Sequence, residues 1–108
     1  MADWDITQLD LLQHDDYYGR GNSLVKIDDT HLILAYYGQD GDGFIVTFSI
    51  GVDDTLAEID ILEHDTTAGD YNYLIKIDST HFALAYSGSD NDGFIKTFSI
   101  DGSYDNIT

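Results

Sequence analysis

The sequence predicts an all-β fold, a β-propeller with two four-stranded blades per chain and a ring completed by oligomerisation. Three observations predict it. The chain of 108 residues repeats itself without a gap after about 50 residues, a period typical of repeat architectures. Each copy divides into short runs of β-branched and aromatic residues separated by turns rich in Asp and Gly. Several runs are apolar on both faces, so a sheet made of them must lie between two others.

The repeat extends from Gln8 to Ile100, and its period sets the predicted strands. Turn-forming segments at 28–30 and 38–43 return at 78–80 and 88–93. The predicted strands of the first copy cover 7–13, 23–28, 31–37 and 43–50, and those of the second cover 56–63, 73–78, 81–87 and 93–100.

The strand predicted over 31–37 illustrates why each sheet needs two neighbours. Alternate residues point to opposite faces of a strand. One face carries Leu32, Leu34 and Tyr36, and the other carries Ile33, Ala35 and Tyr37. Since both faces are apolar, both are expected to be buried. Small four-stranded sheets that stack face to face around an axis are the blades of a propeller.

Charge and composition exclude several classes of function. The chain has 21 Asp+Glu against 4 Lys+Arg, a formal net charge of −17. Nucleic-acid backbones and anionic membranes are therefore not expected as partners. The absence of Cys excludes a disulfide scaffold and thiolate-bound metals. No apolar run reaches the roughly 20 residues of a membrane helix, and residues 1–4 do not resemble a signal peptide.

The stretch 86–98, which contains Ser-Gly-Ser-Asp-Asn-Asp-Gly before an apolar strand, resembles the hairpin of the WD40-type β-propeller repeat. His14 and His64 stand where that family has its His, and Asp42 and Asp92 stand at its Asp. The chain departs from the family where Phe48 and Phe98 replace its Trp, and Gln13 and Glu63 its Gly. The resemblance implies a structural hydrogen-bond network formed by His14, Asp42, His64 and Asp92.

The same resemblance implies how the chain is organised. An N-terminal outer strand over 5–14 precedes a first blade repeat over about 14–63 and a second over about 64–108. Because a propeller typically needs about 4–8 blades, two blades cannot close a ring. We expect a homotrimer of six blades first and a homotetramer next, similar to the small two-repeat propeller lectins. The alternative is that the chain is part of a longer propeller.

Two loops that precede the second strand of each copy are the candidate ligand-binding segments. They are the most divergent stretches of the repeat, as expected of loops free from packing constraints. Aromatic rings beside Asp and Asn can stack on sugars and hydrogen-bond their hydroxyl groups. The candidate residues are Tyr17, Tyr18, Arg20 and Asn22 in the first loop, and Asp70, Tyr71 and Asn72 in the second.

A calcium site is a second candidate. The hairpins place Asp40 and Asp42, and again Asp90 and Asp92, at alternate positions before a Gly. Alternate carboxylates can converge on one hard cation. No other cofactor is expected.

These features favour a non-catalytic binding module for carbohydrate or for a protein surface, made multivalent by ring symmetry. An extracellular location or a cell or virion surface is expected. The alternative is a structural or interaction repeat of a larger surface or virion protein, with no small ligand. An enzyme is disfavoured, because the sequence contains no phosphate-binding Gly loop, HExxH motif or nucleophile elbow.

Overall fold

The computed structural model describes residues 6–108, which form an all-β chain with two antiparallel sheets. Residues 1–4 and the first residue of the predicted outer strand lie outside the described range. Sheet A contains four strands in sequential order: β1 (Arg20–Asp28), β2 (His31–Tyr37), β3 (Gly43–Ile50) and β4 (Leu56–Asp65). Sheet B contains three: β5 (Asp70–Asp78), β6 (His81–Ser87) and β7 (Gly93–Ser99). The all-β prediction is confirmed.

Strand boundaries follow the predicted ones closely, with two differences. β1 and β5 begin at Arg20 and Asp70, each a few residues earlier than predicted. In both strands a bulge allows residues of the predicted loop to pair with the neighbouring strand. The predicted strand over 7–13 is not a strand in the described chain. A strand needs a hydrogen-bonded neighbour, and no strand of the described chain pairs with these residues.

Asp residues define the tight turns. Asp28 Oδ1 accepts a hydrogen bond from Thr30 N at 2.9 Å, and Asp78 Oδ1 accepts one from Thr80 N at the same distance. The β2–β3 and β6–β7 connections each contain one 3-10 turn with Asp40 or Asp90 at positive φ. Among residues 6–108 no helix has the length and apolarity needed to cross a membrane.

The core lies between the two sheets, which pack face to face. Apolar side chains from one face of sheet A meet those from one face of sheet B. The buried residues of this cluster include Ile27, Ile33, Ala35 and Ile45 of sheet A and Leu74, Phe82, Leu84, Tyr86 and Phe98 of sheet B. Apolar packing between the sheets therefore joins the two halves of the chain, and a few hydrogen bonds such as that from Leu74 N to Ser23 Oγ add to it.

The outer faces of both sheets are also apolar. The outer face of sheet A carries Leu24, Leu32, Leu34, Tyr36 and Phe48, which are the repeat counterparts of the residues that sheet B contributes to the core. The outer face of sheet B carries Ile75, Ile77, Ala83, Ala85 and Ile95, the counterparts of residues in sheet A. Ile45 is 0% exposed in the core, whereas its counterpart Ile95 is 78% exposed.

Removing a ring from the core tests the sheet packing. We expect Phe82→Ala to lower the free energy of unfolding by about 3–5 kcal/mol, because it deletes a wholly buried aromatic side chain. Val52→Ala, at a fully exposed position in the β3–β4 loop, is the control and should change it by less than about 0.5 kcal/mol. Urea unfolding followed by circular dichroism measures both, and equal effects of the two variants would contradict this packing.

Candidate functional site

Three loops meet at one end of sheet A and form what we call the loop site, residues 17–22, 37–41 and 69–72. Asn72 Nδ2 donates hydrogen bonds to Gly21 O at 3.1 Å and to Gly69 O at 3.0 Å. Gly69 N in turn donates to Gly41 O at 3.1 Å. The structure therefore brings the two predicted binding loops together and adds the β2–β3 turn.

An aromatic and cationic cluster occupies one side of the loop site. The Arg20 guanidinium lies over the Tyr37 ring, with Cζ 5.1 Å from its centroid, and the Tyr18 ring meets Tyr37 edge-on at 6.0 Å. With residues 6–108 Arg20 forms no ion pair, so its donors face solvent. Tyr37 was not among the predicted site residues, because alternation assigns it to a sheet face; its replacement by Ser87 in the second copy is the signal that could have identified it.

Tyr71 has an unfavourable backbone conformation at an exposed position. Its φ is 51°, in the left-handed region, and its side chain is 79% exposed. Its repeat counterpart is Gly21, with φ 56°, so both bulges require this conformation. A Cβ at Gly21 would lie 2.7 Å from Asp70 Oδ1. A bulky residue at positive φ costs of order 1–3 kcal/mol and is typical of functional sites.

The two predicted Asn residues use their amide donors within the protein. Asn22 Nδ2 donates to Gly19 O at 2.8 Å, and the Asn72 amide makes the bonds that join the loops. Asp70 Oδ1 accepts a hydrogen bond from Tyr71 N at 2.7 Å. These three residues shape the loops. The exposed side chains of the loops are those of Tyr17, Tyr18, Arg20 and Tyr71, and Tyr37 lies half-buried beneath Arg20.

The His14 and His64 rings each lie beside a Tyr–Asp hydrogen bond. Among residues 6–108, neither ring nitrogen of His64 has a hydrogen-bond partner, and Nδ1 of His14 has none. In each copy the residue after the His accepts a bond from a Tyr: Tyr86 Oη donates to Asp65 Oδ2 at 2.7 Å, and Tyr36 Oη donates to Asp15 Oδ2 at 3.1 Å. Each carboxylate also accepts backbone N–H groups of its own loop.

Both His rings pack against a Tyr ring. The His14 ring meets Tyr36 edge-on at 4.5 Å, and the His64 ring meets Tyr86 in the same way at 4.9 Å. Burial, with the Lys96 ammonium nearby, lowers the pKa of His64 to about 4. Burial raises the pKa of Tyr86 to about 12, helped by its bond to Asp65. A neutral His ring can thus pack as an aromatic group.

Within residues 6–108 no group of three or more His, Asp or Glu side chains is placed to hold a metal ion. Calcium binding by Asp40, Asp42, Asp90 and Asp92 stays a prediction. The neighbouring carboxyl group of Asp42 raises the pKa of the exposed Glu63, first through hydrogen bonding between the two carboxyl groups and then through its like charge. Asp92 and the two turn residues Asp40 and Asp90 are exposed.

Comparisons with models of known protein families, with curated proteins and with solved structures found no match to this chain.

The pKa of His64 predicts how stability depends on pH. Because the folded-state pKa is about 4, below the ordinary value of 6.5, the unfolded state binds more protons between these two values. Stability is then full above pH 6.5 and falls as the pH decreases towards 4. We expect urea midpoints to fall less over this interval in His64→Leu than in the wild type.

His81→Gln is the matched control, because His81 is exposed beside Asp78 at a turn. Its midpoints should follow the wild-type pH dependence. An unchanged pH dependence in His64→Leu would show that His64 is not responsible.

Proposed function

We propose that this protein is a non-catalytic β-propeller binding module that recognises carbohydrate through the loop site and gains avidity from a homo-oligomeric ring. The observation that carries the proposal is Tyr71, an exposed aromatic residue in a left-handed conformation where the other copy has Gly. Such strain needs a compensating benefit. A ring that stacks on a ligand would supply it.

The chemistry of the neighbouring side chains fits a sugar. Exposed tyrosine rings offer flat apolar surfaces for the C–H faces of a pyranose, and Tyr17 and Tyr71 are both largely exposed. Arg20 offers the several N–H donors of a planar guanidinium group, which lies over the Tyr37 ring. It could donate to hydroxyl groups or to a sugar carboxylate. None of these groups is arranged as a nucleophile with a base.

Multivalency follows from the proposed ring of three chains. Each chain contributes one complete loop site, so that several weak sites would act together on a surface that displays many copies of the ligand. A second protein whose surface presents Asp, Glu and aromatic groups is the other ligand class considered for the same site. Binding of immobilised glycans against binding of deglycosylated protein distinguishes the two.

A structural or interaction repeat without a small ligand is the alternative function. It is supported by the way the loop site holds itself together, since the amides of Asn22 and Asn72 bond to backbone carbonyls. In that case the loops would only close the ends of the sheets. Glycan arrays without any binding, with an intact assembly, would favour this alternative.

Replacing Tyr71 tests the proposed site. We expect Tyr71→Gly to remove glycan binding on an array and in titration calorimetry, because the stacking ring is lost. Its free energy of unfolding should be unchanged or higher by up to about 1 kcal/mol, because Gly accepts positive φ without strain. Val52→Ala should bind as the wild type does. Glycan binding that persists at full strength in Tyr71→Gly would contradict the proposal.

A further inference from the structure

We infer that a second copy of this chain completes sheet B. In this arrangement residues 8–15 of one chain form the fourth strand beside β7 of another, and the outer face of sheet B packs on the outer face of sheet A of the chain that donates the strand. This inference gives the interface of the ring on which the proposed function rests. Its physical basis is independent of any ligand.

The first line of evidence is that the N-terminal segment already lies on sheet A as an outer strand of a missing blade would. Residues 60–65, at the end of β4, contact both sheet B and the C-terminal segment that follows β7. Asp60 Oδ2 accepts from Ile107 N at 3.1 Å, Asp65 accepts from Tyr86 Oη, and the His64 ring meets Tyr86.

Residues 10–15 repeat these contacts one blade earlier. Asp10 Oδ2 accepts from Leu56 N at 2.7 Å, Asp15 accepts from Tyr36 Oη, and the His14 ring meets Tyr36. Leu12 packs on the outer face of sheet A as its counterpart Leu62 packs in the core. The segment therefore lies where the outer strand of a preceding blade belongs, but the described chain contains no other strand of that blade.

The second line of evidence is that the outer faces of sheets A and B are repeat copies of the two faces that form the core. The outer face of sheet B is largely exposed, whereas that of sheet A is exposed at Leu24 and partly covered at Tyr36 and Phe48. Leu74 is 3% exposed and its counterpart Leu24 is 60% exposed. Ile27 and Ile45 are buried, and their counterparts Ile77 and Ile95 are exposed. The outer face of sheet B thus repeats the apolar residues of the inner face of sheet A, and the outer face of sheet A repeats those of the inner face of sheet B. Two outer faces from different copies can therefore pack as the two inner faces do within one chain.

Gly93 provides the third line of evidence. Its counterpart Gly43 has no room for a Cβ, which would lie 2.7 Å from His64 Cε1 and 3.1 Å from Gly69 Cα. Nothing lies within 4 Å of a Cβ placed on Gly93. In the completed sheet, His14 and Gly19 of the second copy would lie against Gly93 as His64 and Gly69 lie against Gly43. A Gly with no contact in the single chain gains one in the assembly.

The repeat also fixes the strand register. In sheet A, Ile45 pairs with Leu62 and Thr47 pairs with Asp60. The corresponding intermolecular pairs are Ile95 with Leu12 and Thr97 with Asp10 of the second copy. The chain's own Ile107 and Thr108 already bond to Ile100 and Ser99. They occupy the first positions along β7, so that the donated strand begins after them.

Side-chain size is complementary across this contact. On the outer face of sheet B, Tyr73 of β5 stands where sheet A has Ser23, and Ala83 of β6 stands where sheet A has Ile33. The larger side chain is therefore on β5 in sheet B and on β2 in sheet A. The outer face of sheet A holds an apolar groove of about 260 Å³, lined by residues that include Leu24, Leu32, Leu34 and Phe48. In the core, Ser23 Oγ accepts a hydrogen bond from Leu74 N. The repeat counterpart of this contact in the assembly places Tyr73 beside Leu24 of the second copy, where its ring would fill the groove.

Substitutions on the outer face of sheet B test the inference. By sedimentation equilibrium the wild type should have three times the 12.1 kDa chain mass. Gly93→Val and Ile95→Asp should sediment as single chains, because the first blocks the donated strand and the second buries a charge. Both positions are exposed in the single chain, so both variants should keep its circular dichroism spectrum. Gly102→Val and Val52→Asp, at equally open positions, should assemble as the wild type does.

A monomeric wild type would overturn the inference, as would full assembly of Gly93→Val and Ile95→Asp. A wild type that assembles as a tetramer would keep the interface and change only the number of chains.

Cross-linking tests the register without relying on disruption. The chain has no Cys, so that Asp10→Cys with Thr97→Cys places two thiols opposite each other across the interface. Oxidation should give covalently linked multimers on a non-reducing gel. Asp16→Cys with Thr97→Cys, which is out of register, should remain mostly single chains. Equal cross-linking of both pairs would overturn the register.

These measurements are separate from the test of ligand binding. An assembled wild type that binds no glycan would leave the interface standing and would contradict the carbohydrate proposal. A single chain that binds glycan would do the reverse.

Discussion

The fold depends on one constraint: its strands are apolar on both faces, so every sheet needs a packed neighbour on each side. One chain provides one such contact, between the inner faces of sheets A and B, where Phe82 and Ile33 are wholly buried. Hydrophobic burial is the largest favourable contribution to folding, and the single chain leaves Leu24, Ile77 and Ile95 of its outer faces exposed. The exposed faces therefore reflect the same sequence requirement as the core does.

The strands were largely predictable because hydrophobic alternation and Asp-Gly turns are local signals. β2 and β6 have their predicted bounds. The early starts of β1 and β5 were not predictable, because the bulges at Gly21 and Tyr71 depend on positive φ angles that no pattern encodes. The position of the His64 ring against Tyr86, and the bond from the Tyr86 hydroxyl group to Asp65, were not predictable either, because both depend on the packing of one sheet on the other.

The candidate site depends on differences between the two copies rather than on what they share. Shared residues such as Tyr36 and Tyr86 maintain the packing of the sheets, and each is buried and bonded to a carboxylate. Two of these differences are Gly21 against Tyr71 and Tyr37 against Ser87. Gly21, Tyr37 and Tyr71 lie together at one end of sheet A. Sequence comparison of the copies identified the variable loops, but only the folded chain shows that the β2–β3 turn joins them through Gly41 and Gly69.

The charge of the chain bears on how such an assembly forms. A net charge of −17 makes copies repel one another, while the facing surfaces are apolar and gain from burial. Moderate salt shortens the range of this electrostatic repulsion and does not weaken the burial of the apolar faces. The N-terminal segment lowers the cost further, because Asp10, His14 and Asp15 already hold it on sheet A before any partner arrives. A strand held in place loses less conformational entropy on pairing than a free tail would, so an acidic chain of this size can still associate through a largely preformed surface.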